Sequence, residues 1–583
     1  MQSGEEQLSL GKFQFYGRMQ GYSLEAFRKD IIAGIIVGVV AIPLALAFAI
    51  ASGVRPEYGI YTSIIAGALV GIFGGSRVQI AGPTGAFVPV LLSIVMLYGF
   101  NNLLLASLLS GFMLILMGVT HMGTLIKFIP RPVTVGFTAG IAVIIFTGQV
   151  DTFLGLQGVA KHEYFIQNVL ELTKHLHTVQ VSSIIVALVC LFFLIFTDRY
   201  IPGVPGPLAG ILVSTLVATF FFGGAIETIG SKFGSIPAGL PEFRIPKMSL
   251  NEVYKMIGPA FTIAMLGSIE SLLSCMVADE MIGNKHNSNK ELIGQGIANV
   301  IAPLFGGIAA TGAIARTATN IRSGGTSPVS AVVHSLTVLI LIITLAPMVS
   351  QIPLASMAPI LMIVAWNMSS KNEIKHILRT TRSDSTVLIT TFLLTVFVNL
   401  TVAVGFGLLL AVALFINRMS DTMSVQKVLP DHNGREKVTS NVVSPIHDCP
   451  QVAIFTINGA LFFGAVETFE QTLTNCLAAR PKVLILRMGN VFVMDATAEV
   501  VLEHIVDHFQ RQKGTILISG LKTQPKKVLK NSGLYDKIGK EHFFGGTGLA
   551  ISYALTKISA EKCRGCSHNA FYECSKLSIR DVG

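Results

Sequence analysis

Apolar residues run along this chain in stretches far longer than a soluble helix buries. Ile31 to Val54, Tyr58 to Ser76, Pro132 to Val150, Tyr200 to Ile226, Ser323 to Ser370 and Ser385 to Asn417 are all of this kind, and Val78 to Ile126 holds no Asp, Glu, Lys or Arg. Crossing a bilayer takes roughly 20 mainly apolar residues, so these runs predict spans, several of them double. Breaking the pattern at charges, Gly and Pro predicts fourteen segments. They begin near Ile31, Tyr58, Pro83, Leu103, Pro132, Val181, Gly206, Met256, Leu292, Gly312, Val329, Pro353, Ser385 and Val402. The third and tenth are too short to cross as full helices. After Arg418 the pattern changes. QVAIFTI, KVLILRM and TILISG read as short β-branched strands, alternating with the helical AVETFEQTLTNCL and TAEVVLEHIVDHFQRQ. That alternation predicts a compact α/β domain. The expected fold is thus an all-α polytopic membrane domain followed by an α/β domain. The expected boundaries are a lead-in over 1–28, a transmembrane domain over 29–420, a linker over 421–447, the α/β domain over 448–560 and a tail over 561–583.

Composition agrees with a membrane protein. Charged residues make up 13% of the 583, against about 25% in soluble chains, and the mean hydropathy is +0.64. The net charge of +10 does not point to nucleic acid, because the basic residues flank the spans. Arg18, Arg28 and Lys29 precede the first span, Lys127 and Arg131 follow the fourth, and Lys371, Lys375, Arg379 and Arg382 follow the twelfth. The positive-inside rule puts these on the cytoplasmic side, with both termini. Lys232, Arg244 and Lys247 run against it, in a longer loop where the rule is weak. The first 30 residues are polar and mixed, so no cleavable signal peptide is expected. Seven cysteines do not make a disulfide scaffold, and Cys190 and Cys275 in apolar runs read as small hydrophobes.

The candidate chemistry lies in two broken segments, QIAGPTGAF (79–87) and ATGAIARTATN (310–320). They fall seven segments apart. Paired interrupted spans at matching positions of two halves mark an inverted-repeat transporter with a midplane site. Each half-helix presents unpaired N–H groups at its N-terminus, and two such ends together favour an anion. Gly82, Gly85, Ala86, Gly312 and Ala313 would let a substrate approach the backbone, and Thr84 would add a hydroxyl donor. The alternative is that Gly and Pro are simply commoner in membrane helices. Two charges, Glu270 and Arg316, stand in apolar surroundings where ionised groups are expensive. Arg316 suits oxyanions. Ser274, at i+4 from Glu270, shares its helical face. A structural Glu270–Arg316 ion pair is the competing reading. If an anion binds close to Glu270, protonation of the carboxyl would remove their repulsion, so anion and proton would load together.

AIPLALAFAIASGVRPEYGIYT, QIAGPTGAF, HNSNKELIGQGIANVIAPLFGG and ATGAIARTATNIRSGG, in this order and before an α/β domain, resemble the sulfate permease (SulP) family of anion transporters with a C-terminal STAS domain. The resemblance implies fourteen transmembrane segments in two inverted repeats of seven, a core and a gate domain, a homodimer and a cytoplasmic STAS-like domain. It places Phe48 and Thr84 in the substrate cavity and Ala315 and Arg316 at the anion site. Glu270 and Ser274 match positions that hold Na⁺ in bicarbonate-transporting relatives, where the acid is Asp; Glu leans toward H⁺. In VFVMDATAEVV, Asp495 and Thr497 match the Asp and the phosphorylatable hydroxyl of the STAS loop. Ala496 and Ala498 replace its middle hydroxyl residue and its Gly, so phosphorylation is not expected.

These readings predict a secondary transporter of small anions (sulfate, bicarbonate or dicarboxylate) in the cell membrane, coupled to H⁺ and working by alternating access. The alternatives are Na⁺-coupled bicarbonate transport, a nucleobase–cation symporter, or a membrane-anchored sensor whose STAS-like domain binds a cytoplasmic protein. No cofactor is expected. No enzyme is expected either, since no nucleophile–base pair or phosphate loop stands out. The tail CRGCSHNAFYEC carries Cys563, Cys566, His568 and Cys574 with one C-x₂-C, and is read as a solvated tail without metal. His121 and His334 read as packing or interface histidines, and Trp366 as an interfacial anchor.

Overall fold

The computed structural model describes residues 18–19, 22–124, 129–201, 204–239, 241–246, 248–398, 400–430, 443, 448–477, 480–564, 566, 568, 570–571 and 574. The lead-in before residue 18, Lys127, Lys247, most of the linker and the end of the tail lie outside them. The chain divides into two compact units, Met1–Ala411 and Val412–Gly583.

In the first unit the helices that build the site are α1 (Leu24–Ala51), α2 (Pro56–Phe73), α3 (Val88–Tyr98), α4 (Phe100–Val119), α5 (Arg131–Thr147), α6 (Leu250–Ile282), α7 (Ser288–Ile301), α8 (Ile314–Arg322), α9 (Val329–Ser350), α10 (Leu354–Met368) and α11 (Arg382–Phe397). Seven helices among the described residues are long and apolar enough to cross a membrane. The expected count of fourteen crossings is not reached on helix length alone. The short α3 and α8 have 11 and 9 residues, and α7 carries polar Glu291, Gln295 and Asn299, all buried.

Local chemistry sets the helix ends. Ser23 accepts from the Ala26 N–H at the start of α1, and Ser249 and Glu252 form a reciprocal capping box on α6. Buried acids do similar work across the fold. Glu291 accepts from the N–H groups of Gly75 and Ser76 at 2.8 and 3.1 Å. Asp30 accepts from those of Thr326 and Ser327 at 2.6 and 3.2 Å, tying α1 to the loop before α9.

The closest packing falls into two groups. In one, α4 lies on α6 and α7, α1 on α9, and α2 on α7 and α9; in the other, α5 lies on α10 and α11, and α10 on the helix Val181–Tyr200. The α4–α7 contact is backbone to backbone at Gly111 and Gly296, where a Cβ on either would stand 2.7 Å from the other's carbonyl oxygen. Membrane helices, lacking a hydrophobic drive toward one another, pack through such small residues.

Two two-residue strands, β1 (Ala81–Gly82) and β2 (Thr311–Gly312), pair antiparallel with Ala81 opposite Gly312 and Gly82 opposite Thr311. Each runs directly into a helix, β1 through a 3₁₀ turn at Gly85–Phe87 into α3 and β2 into α8. The antiparallel crossing makes the two helices diverge, so their N-termini meet.

The second unit is a five-stranded sheet in the order β3 (Ser424–Lys427), β4 (Val452–Asn458), β5 (Val483–Asn490), β6 (Thr515–Ser519), β7 (Phe543–Phe544). Only β3 runs antiparallel to its neighbour. α12 (Val466–Leu477) and α13 (Ala496–Arg511) make the β4–β5 and β5–β6 crossovers, and α14 (Thr547–Lys557) follows β7. Period-2 alternation builds a core on each face. Phe455, Ile457, Leu484, Leu486 and Ile518 pack with Leu502 and Phe509 of α13 on one face. Val452, Ile454, Val483, Ile485 and Leu517 pack with Ala550 and Ala554 of α14 on the other. Ala570 and Phe571 complete this second core. Phe571 is 2% exposed, which corrects the solvated-tail reading at these positions: an aromatic side chain gains more from an open edge of the core than from water.

Asp495 caps α13. Its Oδ1 accepts from the Ala498 N–H and its Oδ2 from the Phe463 N–H, both at 2.9 Å; Thr497 is exposed on the first turn. Asp495→Ala should destabilise this end of α13 by about 1 kcal/mol. Faster amide exchange over 496–500 in full-length protein would show it, and unchanged protection would contradict the capping role.

Candidate anion site

The strand crossing is held from all sides by side chains of neighbouring helices. Asn299 of α7 brackets Ala310, accepting from its N–H and donating to its carbonyl, both at 2.8 Å. Ser271 of α6 accepts from the Gly312 N–H at 3.1 Å and lies 2.7 Å from the Thr311 hydroxyl. The Thr317 hydroxyl accepts from the Ile80 N–H at 3.1 Å, and Asn320 donates to the Val78 carbonyl at 2.8 Å. Backbone that leaves helical geometry at membrane depth has to be satisfied in this way. The glycines are required by crowding. A Cβ on Gly312 would collide with the Gln79 amide, and one on Gly82 with the Arg316 guanidinium.

Arg316, in the first turn of α8, is 2% exposed. It reaches back across the crossing, and its Nη2 donates to the Pro83 carbonyl. Its Nη1 is buried and has no hydrogen-bond partner. Glu270, half-buried on α6, accepts from the Thr84 hydroxyl at 2.9 Å. Among the described residues no ion pair joins Glu270 to Arg316; Glu270 is engaged by the Thr84 hydroxyl and Arg316 by the Pro83 carbonyl. Ser274, one turn beyond Glu270, donates to the Thr317 hydroxyl at 3.3 Å.

A Cβ added to Gly85 would lie 3.3 Å from a Phe48 ring carbon, 3.3 Å from Ile145 and 3.1 Å from the Met368 sulfur. Phe48 of α1 and Gly85 are therefore neighbours, with α5 and α10 closing the other side. Ala86 and Ala313 are buried, and Ala315 is exposed beside Ile314. A cavity of about 450 Å³ runs along α3, with Ala51, Val88, Ile145, Gln149, Lys161 and His162 in its wall; Phe48, Thr84, Gly85, Glu270 and Arg316 do not line it.

Thr84, Gly85, Glu270, Ser274, Gly312 and Arg316 thus converge on the crossing, and Phe48 flanks it. Gln79, Ser271, Asn299, Thr317, Ile145 and Met368 belong to the same assembly and were not singled out by sequence. For Ser271 a signal exists: Gly267, Ser271, Ser274 and Ala278 form a small-residue face on α6 at helical spacing. For the rest the partner lies too far along the chain for any local pattern.

These features define a polytopic helical membrane protein with two opposed half-helices at its centre and a separate α/β domain. The sulfate permease family profile matches residues 27–391, and a STAS domain profile matches 445–548. YvdB of Bacillus subtilis, which carries a provisional sulfate-transporter name, is 52% identical over 531 residues, covering 91% of this chain and 98% of that protein. The bicarbonate transporter BicA of Picosynechococcus is 29% identical over 526 residues, covering 88% and 92%. The structure of the murine solute carrier 26 family member A9 anion transporter in its inward-facing state superposes with a TM-score of 0.83 at 18% identity, covering 92% and 93%; at that identity the likeness is one of fold. The chain belongs to the sulfate permease family and carries a STAS domain.

Gly312→Ala should lower the melting temperature of the detergent-purified protein through overpacking of roughly 1–3 kcal/mol. Gly405→Ala, where nothing lies near the added Cβ, serves as control. Equal melting of both variants would contradict the tight crossing.

Proposed function

We propose that this protein is a secondary active carrier of small anions (sulfate, bicarbonate or a dicarboxylate) that binds its substrate between the first turns of α3 and α8 and couples its movement to H⁺ through Glu270. The observation that carries the reading is the buried, unpartnered Nη1 of Arg316 beside two half-helix N-termini. A buried guanidinium N–H without an acceptor is costly unless an acceptor arrives. An oxyanion would supply one, and would meet in the same place the N–H groups that the first turns leave unpaired. Gly85 and Ala86 on one side and Gly312, Ala313 and Ala315 on the other keep the approach free of bulk, with Phe48 as an apolar wall.

Glu270 is linked to this site through Thr84, whose hydroxyl it holds. A charged carboxylate one hydroxyl away from an anion repels it; a protonated one does not. Anion and proton would therefore load together on the side of higher H⁺ activity and leave together on the other. Alternating access would then move the helix group that carries the crossing past the group of α5, α10 and α11. We place the protein in the cytoplasmic membrane as a homodimer, with both termini and the STAS domain on the cytoplasmic side and the latter open to a protein partner. Na⁺ coupling is the second reading, supported by the Ser274 and Thr317 hydroxyls one turn from Glu270, an all-oxygen set that suits a hard cation.

Uptake of labelled sulfate, bicarbonate and fumarate into proteoliposomes tests both. A pH gradient, acid outside, should drive uptake without Na⁺ in the wild type. Glu270→Gln should lose the pH-driven component and keep anion exchange; full pH dependence in this variant would refute the coupling role. A requirement for Na⁺ would transfer that role to the second reading, and no flux under any gradient would favour a sensor. Arg316→Ala should weaken anion binding roughly 10- to 100-fold, the range expected for one charge-assisted hydrogen bond. Unchanged affinity in direct binding would remove Arg316 from the site.

A further inference from the structure

Outside the membrane unit the molecule gathers most of its cysteines in one place. Cys449, Cys563, Cys566, His568 and Cys574 all line one small cavity of about 20 Å³ in the STAS unit. A space of this size takes a single water or a small ion, since about 10–15 Å³ suffices. The donors come from two distant stretches of chain. Cys449 stands just before β4, and the other four follow α14.

Their convergence is built into the fold. The buried Gln451 side chain brackets Ser559, donating to its carbonyl at 3.1 Å and accepting from its N–H at 2.9 Å. The same amide reaches the Cys563 sulfur at 3.4 Å. A turn closed by the Cys566 N–H on the Cys563 carbonyl brings that pair round. Beyond it, Ala570 and Phe571 are buried in the sheet's second core, and the Cys574 N–H donates to the Phe571 carbonyl at 3.0 Å. Described residues on both sides of the cysteine pair are thus held in place, and Cys449 lies in the same cavity wall.

No disulfide engages these thiols. Among the described residues no group of three Cys, His, Asp or Glu side chains is already arranged to hold a metal, so filling a site here requires the donor side chains to move.

We propose that Cys563 and Cys566, together with two of Cys449, His568 and Cys574, supply the four ligands of one structural Zn²⁺ ion. Sulfur and imidazole donors select zinc over the oxygen-seeking Mg²⁺ and Ca²⁺. Cys-x₂-Cys is the spacing of structural zinc sites, in which protein donors fill all four positions. The ion would tie the return segment to the start of β4 and so close the edge of the second core. This inference is independent of the transport reading: it concerns the STAS unit alone, and its readout is metal content.

The test uses full-length protein purified in detergent without chelator. Mass-spectrometric metal analysis should find zinc at one ion per chain. The Cys563→Ser/Cys566→Ser double variant should lose it, and Cys190→Ser, in the membrane unit, should keep it. A second measurement needs no variant. In the wild type the clustered cysteines should resist N-ethylmaleimide until a strong chelator is added, as read by peptide mass. The proposal is overturned by any of three results: protein that neither retains zinc nor takes it up saturably, zinc undiminished in the double variant, or a disulfide between two of these cysteines in the non-reduced peptide map.

Discussion

Everything in the membrane unit depends on how two interrupted backbones satisfy each other in surroundings without water. Chain that leaves helical geometry inside a bilayer must find partners for every freed N–H and C=O. The protein meets this demand by pairing the interruptions, Ala81 with Gly312 and Gly82 with Thr311. It surrounds the pair with amide and hydroxyl side chains from Ser271, Asn299, Thr317 and Asn320. The two half-helices begin where the strands end, so the arrangement that completes the backbone also sets two positive dipole ends face to face. Under the proposed function, the fold and the anion site have one cause.

The placement of charge follows from the same crossing. Arg316 is long enough to span it and donate to the Pro83 carbonyl, while Glu270 holds the next residue's hydroxyl from the other side. Neither needs the other for a partner. A locked ion pair would have made the pair a structural staple. Engaged separately on one short segment, they instead leave a buried guanidinium N–H without a partner, the feature on which the proposed anion site rests. α2 and α7 support the crossing as well: Ala66 and Val70 of α2 and Ala298 of α7 pack with Ala81 and Ala310, and Asn299 of α7 brackets Ala310.

Much of this was legible in the chain. Gly82-Pro83-Thr84-Gly85 inside a long uncharged run, and a second glycine break near Arg316, announce interrupted spans, because apolar helices rarely forgo hydrogen bonds without compensation. The strand–helix alternation after Arg418 gave the sheet, since periods of 2 and 3.6 differ visibly within a few residues. What could not be read was partnership over distance. Nothing near Gln79 shows that its amide forbids a side chain at Gly312, and nothing near Asn299 shows that it brackets Ala310. Glu270 and Arg316 stand out as charges in apolar surroundings, but whether they pair with each other depends on the reach of Arg316 to Pro83. The tail was misjudged at Phe571 because one aromatic among polar residues has no period, and only the open face beside α14 explains its burial.

The most direct test is to locate an anion by its own scattering. Crystals or lipid-embedded particles of the protein prepared with selenate, a heavy analogue of sulfate, should show a selenium signal between the first turns of α3 and α8, within hydrogen-bonding reach of Arg316 Nη1. Selenate bound elsewhere, or α3 and α8 running through as unbroken helices with no strand pair between them, would contradict the account.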